Sequence, residues 1–409
     1  MKEPWFECVL CGRTYPLTEV YRCSQDNGEL KIVYDYQAVL RETEFLTTWK
    51  QPLRMWGRFG DLLPQKDKKA IISLGEGSTP LLRCQRLAEK CGLKELYLKL
   101  ENCNPTGSFK DRQVSVAISK AHEWGKTRFG TASSGNVGVA LSAYCARGGF
   151  QAHVWVLETT AASKTQQIQV YGAQLFLVPD PGQGNMLAYR SFFTDMQTFC
   201  TDQGMVPMIS ARPVNPYMIE GSKTISFEVV SELGRVPDRV FVPVGGGGML
   251  GGTWKGFTEL SELGLIDRVP AIIGNQKVGN TTPIHQIGNP EFDPQQYFDP
   301  LDGRWAWESI QESNGSLNQV TDEDIRLAQS ELATLEGIFA EPQGAYAAAG
   351  LLKASQEGRL QPDETVVCVV TGMGLKDMHA AQDISEHYPG HYPLKRVSSL
   401  EDSRPFLHT

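Results

Sequence analysis

The chain has 409 residues, 41% of them hydrophobic and 21% charged, which is enough apolar material for the cores of two or three subdomains. The formal net charge is -8 at pH 7, and lysines and arginines are scattered along the sequence, which argues against a nucleic-acid partner and against an anionic membrane. No window approaches the ~18 consecutive apolar residues of a membrane span, and the first residues lack a signal-peptide pattern. We therefore expect a small-molecule ligand.

The nine cysteines indicate a reducing compartment. Their number is odd, and many stand alone inside apolar segments, as Cys84, Cys145 and Cys368 do. A disulfide framework needs cysteines in pairs and an oxidising environment. We therefore expect a cytoplasmic protein.

Residues 1–45 differ from the rest of the chain and predict a small ribbon. Cys8-Val-Leu-Cys11-Gly begins a knuckle, and Cys23-Ser-Gln-Asp26-Asn-Gly follows before the alternating strand ELKIVYDY. The thiolates of Cys8, Cys11 and Cys23 and the Asp26 carboxylate could complete a tetrahedral zinc site. Such a ribbon usually carries a fourth cysteine where Asp26 stands, so a metal-free ribbon held by strand pairing is the alternative, and the sequence favours it over zinc.

From about residue 70, short apolar strands alternate with helical segments. The strands are ELYLKL, FGTAS, QAHVWVLE, AQLFLV, RVFVPV, AIIGNQ and ETVVCVV. This alternation predicts βαβ units, and hence an α/β fold with open, mostly parallel sheets covered by helices. Residues 276–309 are rich in proline, glycine and aromatic side chains and are expected to form a long loop or cap, and residues 391–409 a surface tail.

Gly245 to Gly248 follow one of these strands and precede a helix-like segment. Backbone N–H groups at the start of a helix can converge on an anion, so the run predicts a phosphate cradle. The spacing also matches a dinucleotide fingerprint, but the next strand, AIIGNQK, ends without the acidic residue that would hold a ribose hydroxyl. A nicotinamide cofactor is therefore disfavoured, and glycines that serve only a tight turn remain the other alternative.

Lys110 stands in ENCNPTGSFKDR, where an apolar strand, a turn and a new helix meet. Burial at such a junction lowers the pKa of an amine, which lets the amine attack a carbonyl and form a Schiff base. A surface lysine paired with Asp111 is the other interpretation. Two further strand tips, TASSGN and VTGMG, are polar. A Schiff-base lysine, a phosphate cradle without a ribose acid and these polar tips together match the needs of pyridoxal phosphate.

Six motifs carry a resemblance to a known family: NPTGSFKDR, SSGN, NPYMIEGSKT, VPVGGGGMLGG, AEPQGA and TGMGLKD. In this order they resemble the threonine synthase branch of the fold type II pyridoxal phosphate enzymes, from about Cys8 to Asp377. The resemblance implies that Lys110 carries the cofactor as a Schiff base and that Thr371 faces the pyridine nitrogen. It also implies Phe109, Asn136, Gly245, Gly246, Gly247 and Gly248 as cofactor residues, and Ser133, Ser134, Gly135, Asn215 and Lys164 as substrate residues, the last two at the substrate phosphate. A solvated lysine at the start of a helix is the alternative for Lys164.

The resemblance further implies a reaction, a domain division and an assembly. The reaction converts O-phospho-L-homoserine and water to L-threonine and phosphate, and a threonine hydroxyl at the ring nitrogen suits elimination and replacement. Residues 46–105 and 215–390 would form a large cofactor-binding domain, and residues 106–214 a small mobile domain that closes over the substrate. The protein would be a homodimer.

Three positions depart from the family's pattern and keep other substrates open. Val137 replaces a hydroxyl, Met218 a common arginine and Met373 a polar ring, which makes the pocket less polar. The runner-up is therefore a replacement enzyme of the cysteate synthase type, acting on O-phospho-L-serine, or an elimination enzyme of the threonine dehydratase type. A non-catalytic binding protein is the alternative from another class, and its function would not depend on Lys110.

Overall fold

The structure is a computed structural model that describes residues 3–133, 135–179, 195–280, 284–287, 302–388 and 397. Its strands are β1 (Trp5–Cys8), β2 (Thr14–Pro16), β3 (Leu30–Val33), β4 (Leu81–Arg83), β5 (Glu95–Leu100), β6 (Arg128–Ser133), β7 (Gln151–Leu157), β8 (Gln174–Val178), β9 (Val206–Pro207), β10 (Arg239–Pro243), β11 (Ala271–Lys277), β12 (Ser316–Val320) and β13 (Thr365–Val370).

The α-helices are α1 (Tyr36–Glu42), α2 (Phe45–Thr48), α3 (Met55–Phe59), α4 (Gln85–Cys91), α5 (Lys110–Glu123), α6 (Asn136–Gly148), α7 (Ala162–Val170), α8 (Pro216–Leu233), α9 (Gly248–Glu262), α10 (Ile284–Ile287), α11 (Gly303–Glu312), α12 (Asp322–Glu336), α13 (Tyr346–Gln356) and α14 (Met378–His387). Residues 195–202 are also helical. Single 3-10 turns lie at Gly60–Leu62, Lys68–Ala70, Glu101–Cys103, Gln343–Ala345 and Gly374–Lys376.

The larger sheet has six strands in the order β12-β11-β10-β13-β5-β4. All neighbours are parallel except β4, which pairs antiparallel with β5 at the edge. Side chains of β13 alternate between two cores, since Val367 and Val369 pack with residues of α9 and α11 while Val366 and Cys368 pack with residues of α4, α12 and α13. Helices therefore cover both faces, as parallel sheets require.

The smaller sheet has four parallel strands in the order β8-β7-β6-β9. Helix α6 connects β6 to β7 and contacts both strands. Val154 and Val156 of β7 pack with Val139 and Ile168 from the covering helices, so β7 buries every second side chain. Helix α5 contacts α6, which packs on the smaller sheet, and also contacts α8. It therefore connects the smaller sheet with the rest of the fold.

The N-terminal residues form a separate antiparallel sheet in the order β2-β1-β3. This ribbon packs on α8: the rings of Phe6 and Tyr217 meet edge to face with centroids 5.2 Å apart, and the Tyr34 hydroxyl donates to Glu220 over 2.8 Å. The ribbon is therefore attached to the helix that also contacts α5.

The predicted α/β fold with two mostly parallel sheets and an N-terminal cysteine ribbon is confirmed. One segment is more regular than expected: RWAWES, expected in a long loop or cap, lies in helix α11, because Gly303, Ala306, Ser309 and Ile310 recur at helical spacing and are buried. Residues 281–283 and 288–301 of the expected loop, and the expected tail except Val397, lie outside the described residues. None of the helices in the described ranges has the length and hydrophobicity needed to cross a membrane.

Candidate active site

The loop before α5 and the end of β13 meet in the middle of the larger sheet. The Phe109 N–H donates to the Thr371 carbonyl over 3.2 Å, and the Met373 N–H donates to the Gly107 carbonyl over 2.9 Å. Thr371 is itself 3% exposed. Two of the strand tips that the sequence singled out, NPTGSFK and TGMG, are thereby held against each other at the carboxyl end of the sheet, where open α/β sheets bind ligands.

Lys110 is the first residue of α5, and its Nζ has two polar side-chain partners. Nζ donates to Ser210 Oγ over 2.6 Å and to Gln113 Oε1 over 3.0 Å, and it lies 4.4 Å from the centre of the Phe109 ring. Burial lowers the pKa of Lys110 to about 7, and the nearby Asp302 carboxylate offsets only part of this. Near neutral pH a substantial fraction of this amine is therefore unprotonated and nucleophilic.

The alternative of a surface lysine paired with Asp111 does not describe this geometry. Asp111 is fully buried and accepts hydrogen bonds from the N–H and hydroxyl of Thr106, over 2.7 and 2.5 Å. Burial raises the pKa of Asp111 to about 7. Asp111 therefore holds the Pro-Thr-Gly turn, which leaves the Lys110 amine free to face the cleft.

The glycine run Gly245–Gly248 leads from the end of β10 into α9. Gly247 has φ 102°, a left-handed value that favours glycine, and a Cβ on it would lie 2.6 Å from the Asp302 carbonyl oxygen. A Cβ on Gly248 would lie 2.6 Å from Asp302 Oδ2, and one on Gly245 would lie 3.0 Å from Gln343 Nε2. A side chain is thus excluded at Gly247 and would displace the Asp302 carboxylate at Gly248, whereas a Cβ on Gly246 would meet nothing within 4 Å; the run leads into the N-terminus of a helix, as the sequence predicted.

Asp302 is the carboxylate that lies against this cradle. It is 2% exposed, its Oδ1 accepts from the Arg212 N–H over 3.0 Å, and its Oδ2 has no hydrogen-bond partner among the described residues. Burial raises the pKa of Asp302 to about 7, because the Arg212 charge only partly compensates and Glu29 adds repulsion. A buried carboxyl with one free oxygen is thus available beside the anion site.

The end of β6 contributes the SSGN loop. Ser133 Oγ accepts from the Gly135 N–H over 3.0 Å and from the Gly138 N–H over 3.3 Å, and Gly135 has the left-handed φ of 132°. Asn136 begins α6, and its Nδ2 donates to Glu341 Oε1 while its Oδ1 has no partner among the described residues. Ser134, which the resemblance placed at the substrate, lies outside the described residues.

Glu341 ties this loop to the rest of the cleft. It is 2% exposed, its N–H donates to the Gly372 carbonyl over 3.0 Å, and its Oε2 pairs with Lys164 Nζ over 2.9 Å. Lys164 belongs to α7, and its aliphatic chain covers the position where Gly135 would carry a Cβ. The structure thus brings the predicted residues Asn136 and Lys164 together through one buried carboxylate.

Helix α7 has two further bonds to the loop after β13. Ser163 Oγ donates to the Lys376 carbonyl over 2.7 Å, and Lys376 Nζ donates to Gln167 Oε1 over 3.3 Å. Together with the Lys164–Glu341 pair, these bonds connect the helix that packs on the smaller sheet to the loop that follows the larger sheet. These bonds therefore connect the two sheets across the cleft.

Asn215, Met218 and Val137 lie in packed surroundings. Asn215 precedes α8, is 1% exposed, and its Nδ2 donates to the Pro207 carbonyl over 3.0 Å. Its Oδ1 has no partner among the described residues. Met218 is fully buried in the core with the ribbon and α5, and Val137 is 8% exposed. The substitution of Met218 for an arginine therefore alters a packed helix position.

Four residues of this site were missed by the sequence-based prediction: Ser210, Gln113, Glu341 and Asp302. Ser210 and Glu341 meet their partners Lys110 and Asn136 across 100 and 205 positions of chain respectively, so spacing carried no signal for them. Gln113 lies one helical turn after Lys110 and could have been found from that spacing. Glu341 stands in AEPQGA, a motif that contributed to the resemblance without a role.

The residues present fit pyridoxal phosphate. A lysine of lowered pKa, a helix-terminal glycine run in which a side chain at Gly247 would collide with the Asp302 backbone, and a buried Asn136 amide oxygen without a described partner surround one cleft. These groups are suited to bind, respectively, the aldehyde, the phosphate and a polar ring substituent of pyridoxal phosphate.

Comparison with known proteins indicates the same cofactor and covers most of the chain. A family model described as pyridoxal-phosphate dependent enzyme matches residues 72–372. Threonine synthase of Methanocaldococcus jannaschii is 38% identical over 393 residues, which covers 93% of this chain and 94% of that protein. Threonine synthase of Halalkalibacterium halodurans is 35% identical over 370 residues, which covers 87% of this chain and 98% of that protein.

Solved structures share the fold at lower identity. Diaminopropionate ammonia lyase of Escherichia coli superimposes with a TM-score of 0.65 at 16% identity, covering 80% of this chain and 92% of that chain. The processed form of threonine deaminase isoform 2 from Solanum lycopersicum gives 0.61 at 21% identity, covering 75% and 87%. At these identities the likeness establishes the fold alone.

Proposed function

The chain belongs to the pyridoxal-phosphate dependent enzymes, and from that premise we infer that it is a threonine synthase. It is a carbon–oxygen lyase that converts O-phospho-L-homoserine and water to L-threonine and phosphate. The observation that carries this conclusion is the similarity to threonine synthases across 93% of the chain. Of the substrates that the sequence left open, this similarity favours O-phospho-L-homoserine over O-phospho-L-serine.

Pyridoxal phosphate is the cofactor, and when bound it supplies an electron sink beside the substrate carbon that loses a proton. We propose that the N–H groups of Gly245 to Gly248 hold its phosphate and that Phe109 packs near its ring. The Asn136 amide would bind the phenolic oxygen, and the Thr371 hydroxyl would face the ring nitrogen. A hydroxyl does not stabilise a protonated ring as a carboxylate does, which suits elimination and replacement.

Lys110 Nζ would hold the cofactor between turnovers and carry protons during them. The pKa of Lys110 near 7 allows Nζ both to accept a proton from a substrate carbon and to return it. Ser210 Oγ and Gln113 Oε1, at 2.6 and 3.0 Å from Nζ, would keep the amine aimed into the cleft. The bonds of α7 across the cleft would exclude water from the site.

The domain division rests on sheet membership. The six-stranded sheet takes its strands from residues 81–100 and 239–370, and the four-stranded sheet from residues 128–207. This supports a large domain of residues 46–105 and 215–390 and a small mobile domain of residues 106–214, with the substrate in the cleft between them. A homodimer in the cytoplasm remains part of the proposal.

The substrate is tested with purified protein reconstituted with pyridoxal phosphate. We expect release of phosphate and L-threonine from O-phospho-L-homoserine, with kcat/KM at least about 10²-fold above that for O-phospho-L-serine, because a pocket that pairs with polar groups rejects misfitting analogues. Chromatography of the amino-acid product and a phosphate assay measure both. Faster turnover of O-phospho-L-serine, or no threonine from the reconstituted protein, would contradict the assignment.

The Lys164→Met variant is expected to raise the KM for O-phospho-L-homoserine by roughly 10- to 100-fold while kcat changes less. Lys164 would leave Glu341 to bind the substrate phosphate, and a charge-assisted hydrogen bond of this kind contributes about 1.5–3 kcal/mol. The Glu341→Gln variant breaks the same ion pair but leaves the ammonium free for phosphate. Initial-rate kinetics should therefore show a raised KM in Lys164→Met alone.

Comparison of the two variants decides whether Lys164 binds the substrate phosphate or only forms a structural ion pair. If the two variants raise KM equally, Lys164 acts only by holding the cleft together through Glu341. The control is Lys90→Met, which breaks a lysine–glutamate pair of 2.6 Å with Glu331 in which the lysine side chain is 47% exposed. That variant should keep wild-type KM.

The affinity for pyridoxal phosphate is expected to fall as the pH rises through about 7. Below this pH Asp302 is protonated and can donate to a phosphate in the cradle, and above it the carboxylate repels the phosphate. The charged groups that act on Asp302 are Arg212, Glu29 and Lys110. The Glu29 charge raises the pKa of Asp302, whereas the Arg212 and Lys110 charges lower it. Titrating the apoenzyme with pyridoxal phosphate from about pH 6 to 8 measures the dissociation constant.

The Asp302→Asn variant separates this effect from the titration of the cofactor itself. An amide keeps a donor and cannot ionise, so its affinity should lose most of the pH dependence. Asp238→Asn, at a half-exposed carboxylate paired with Arg268, should follow the wild type. Identical pH curves for the wild type and Asp302→Asn would show that Asp302 does not contact the phosphate.

A further inference from the structure

The N-terminal ribbon gathers four potential metal ligands at one point. The sulfur atoms of Cys8, Cys11 and Cys23 and a carboxylate oxygen of Asp26 all lie within 4.8 Å of one another. Cys11 Sγ and Cys23 Sγ are 3.7 Å apart, and Cys8 Sγ lies 3.4 and 3.7 Å from the two oxygens of Asp26. All three cysteines are free thiols.

The separations of the Cys11–Cys23 and Cys8–Asp26 pairs match edges of a zinc coordination tetrahedron. With Zn–S of about 2.3 Å and Zn–O of about 2.0 Å, tetrahedral angles place two sulfurs about 3.8 Å apart and a sulfur and an oxygen about 3.5 Å apart. A disulfide would instead need sulfurs about 2.05 Å apart. The side chains are therefore spaced for a shared ion rather than for a covalent bond.

The two loops that supply the ligands repeat the same backbone geometry. In the first loop the Cys8 carbonyl accepts from the Gly12 N–H over 3.0 Å, and in the second the Cys23 carbonyl accepts from the Asn27 N–H over 3.0 Å. Gly12 and Asn27 both adopt left-handed φ values, 69° and 57°. Left-handed φ is uncommon for a residue other than glycine, so the second loop keeps the turn of the first despite its different sequence.

The repeat extends one bond further and identifies the fourth ligand position. The Cys8 N–H donates to the Arg13 carbonyl and the Cys23 N–H to the Gly28 carbonyl, each over 2.9 Å. The residue just before the left-handed position is Cys11 in the first loop and Asp26 in the second. Asp26 therefore stands where a second CxxC knuckle would place its second cysteine.

The surroundings donate hydrogen bonds to these ligand atoms. The Gly28 N–H donates to Asp26 Oδ1 over 2.8 Å, and the Gln25 N–H donates to Cys23 Sγ over 3.4 Å. A Cβ on Gly28 would lie 2.7 Å from Cys8 Sγ and 2.9 Å from Asp26 Oδ1, so only glycine admits both ligands there. Such outer-shell donors orient metal ligands and stabilise their anionic forms.

We propose that Cys8, Cys11, Cys23 and Asp26 bind one zinc ion in a closed structural site. Three thiolates select zinc over magnesium or calcium, and four protein ligands leave no open position for catalysis. The geometry reverses the preference for a metal-free ribbon that the sequence suggested, because the sequence showed the unusual aspartate but not the repeated loop.

The site is connected to the wall of the cleft. Glu29, three residues after Asp26, pairs with the Arg212 guanidinium over 2.5 Å, and that guanidinium lies 4.2 Å from the centre of the Trp305 ring. The Arg212 N–H in turn binds Asp302 beside the glycine cradle. Loss of zinc should therefore loosen this wall as well as the ribbon.

The first test is the metal content and the cobalt spectrum of the wild-type protein. Protein purified from zinc-supplemented cells should contain about one zinc per chain by mass spectrometry. After the zinc is removed with a chelator, added Co²⁺ should give the intense visible bands of tetrahedral cobalt with thiolate charge transfer. Neither measurement depends on enzyme activity. The zinc proposal can therefore fail while the assignment as a threonine synthase stands, and the assignment can fail while the zinc proposal stands. Absence of both zinc and the cobalt bands would overturn it.

Variants identify the ligands. Cys11→Ser and Asp26→Asn should each lower zinc affinity at least tenfold, as ligand loss does, and Asp26→Cys should keep or raise it. Cys103→Ser removes an exposed cysteine outside the cluster and should keep wild-type zinc content. Unchanged affinity in Asp26→Asn would exclude Asp26 as the fourth ligand and overturn the four-residue site. Should a variant fail to fold, the wild-type cobalt spectrum still decides the proposal.

Discussion

The Lys110→Ala variant is expected to lose at least about 10³-fold in kcat, because it removes both the covalent attachment of the cofactor and the group that transfers protons. The visible absorbance band that pyridoxal phosphate acquires on covalent attachment should be absent at the same time. Absorbance spectroscopy and a phosphate-release assay on the same preparation measure the two effects. Circular dichroism should be unchanged, since the contacts of the Lys110 amine within the described part of the chain are those with Phe109, Ser210 and Gln113.

The matched control is Lys126→Ala. Lys126 follows α5, is 36% exposed and pairs with Glu19 over 2.9 Å, so its removal should leave both the spectrum and kcat near wild type. A Lys110→Ala protein that keeps the absorbance band would show that another lysine holds the cofactor. One that keeps its kcat would show that Lys110 is not the catalytic group, whereas a wild-type protein with neither the band nor phosphate release would favour the non-catalytic alternative, whose function does not need Lys110.

The chemistry of the site could be predicted where it is concentrated in short motifs. The placement of Lys110 and of the run Gly245–Gly248 could be predicted because each lies in a contiguous segment after a strand, where the local pattern predicts a turn into a helix; their roles toward the cofactor stay predictions. The α/β fold was predicted for a similar reason, since β5, β10 and β13 are apolar runs with clear boundaries. The local sequence pattern was therefore sufficient to predict the α/β fold and the positions of these two segments.

The remaining parts depend on contacts between distant segments. Glu341 bridges Asn136 and Lys164, which come from α6 and α7, and Asp302 meets the glycine cradle from a segment expected to be a loop. A single sequence carries no signal for such pairings because the partners are brought together only by the order of strands in the sheets. For the same reason the sequence assigned Lys164 to the substrate phosphate without its ion-pair partner.

The Arg112→Met variant is expected to have the largest effect on stability, about 3–5 kcal/mol, measured as a fall of several degrees in melting temperature. Arg112 is fully buried two residues after Lys110. Its guanidinium makes bonds of 2.7 Å to both oxygens of Glu101 and bonds of 2.7 and 2.8 Å to the oxygens of Glu228. Methionine fills much of the volume but leaves both carboxylates buried without this partner.

The charge of Glu228 would be partly compensated by Lys99, whose Nζ lies 2.8 Å away, so Glu101 should account for more of the loss. Arg112→Lys keeps a charge but cannot bind two carboxylates with a planar fork, and should lie between the wild type and Arg112→Met. The control is Arg268→Met, which breaks a half-exposed pair with Asp238 and should cost no more than about 1 kcal/mol.

The difference between the wild type and Arg112→Met should shrink as the pH falls. In the wild type Arg112 and Lys99 hold the pKa of Glu228 well below its usual range, so the stability that this carboxylate contributes is present above its unfolded pKa of about 4.3 and is lost on further acidification. In the variant Glu228 keeps Lys99 but loses the Arg112 charge, so its buried carboxyl takes up a proton at higher pH than in the wild type and less stability is lost on further acidification. A constant difference from neutral pH to about pH 3, below the unfolded pKa, would mean that lost packing, rather than lost charge pairing, destabilises the variant, and α5 would then be held beside the cleft mainly by apolar contacts with α6 and α8.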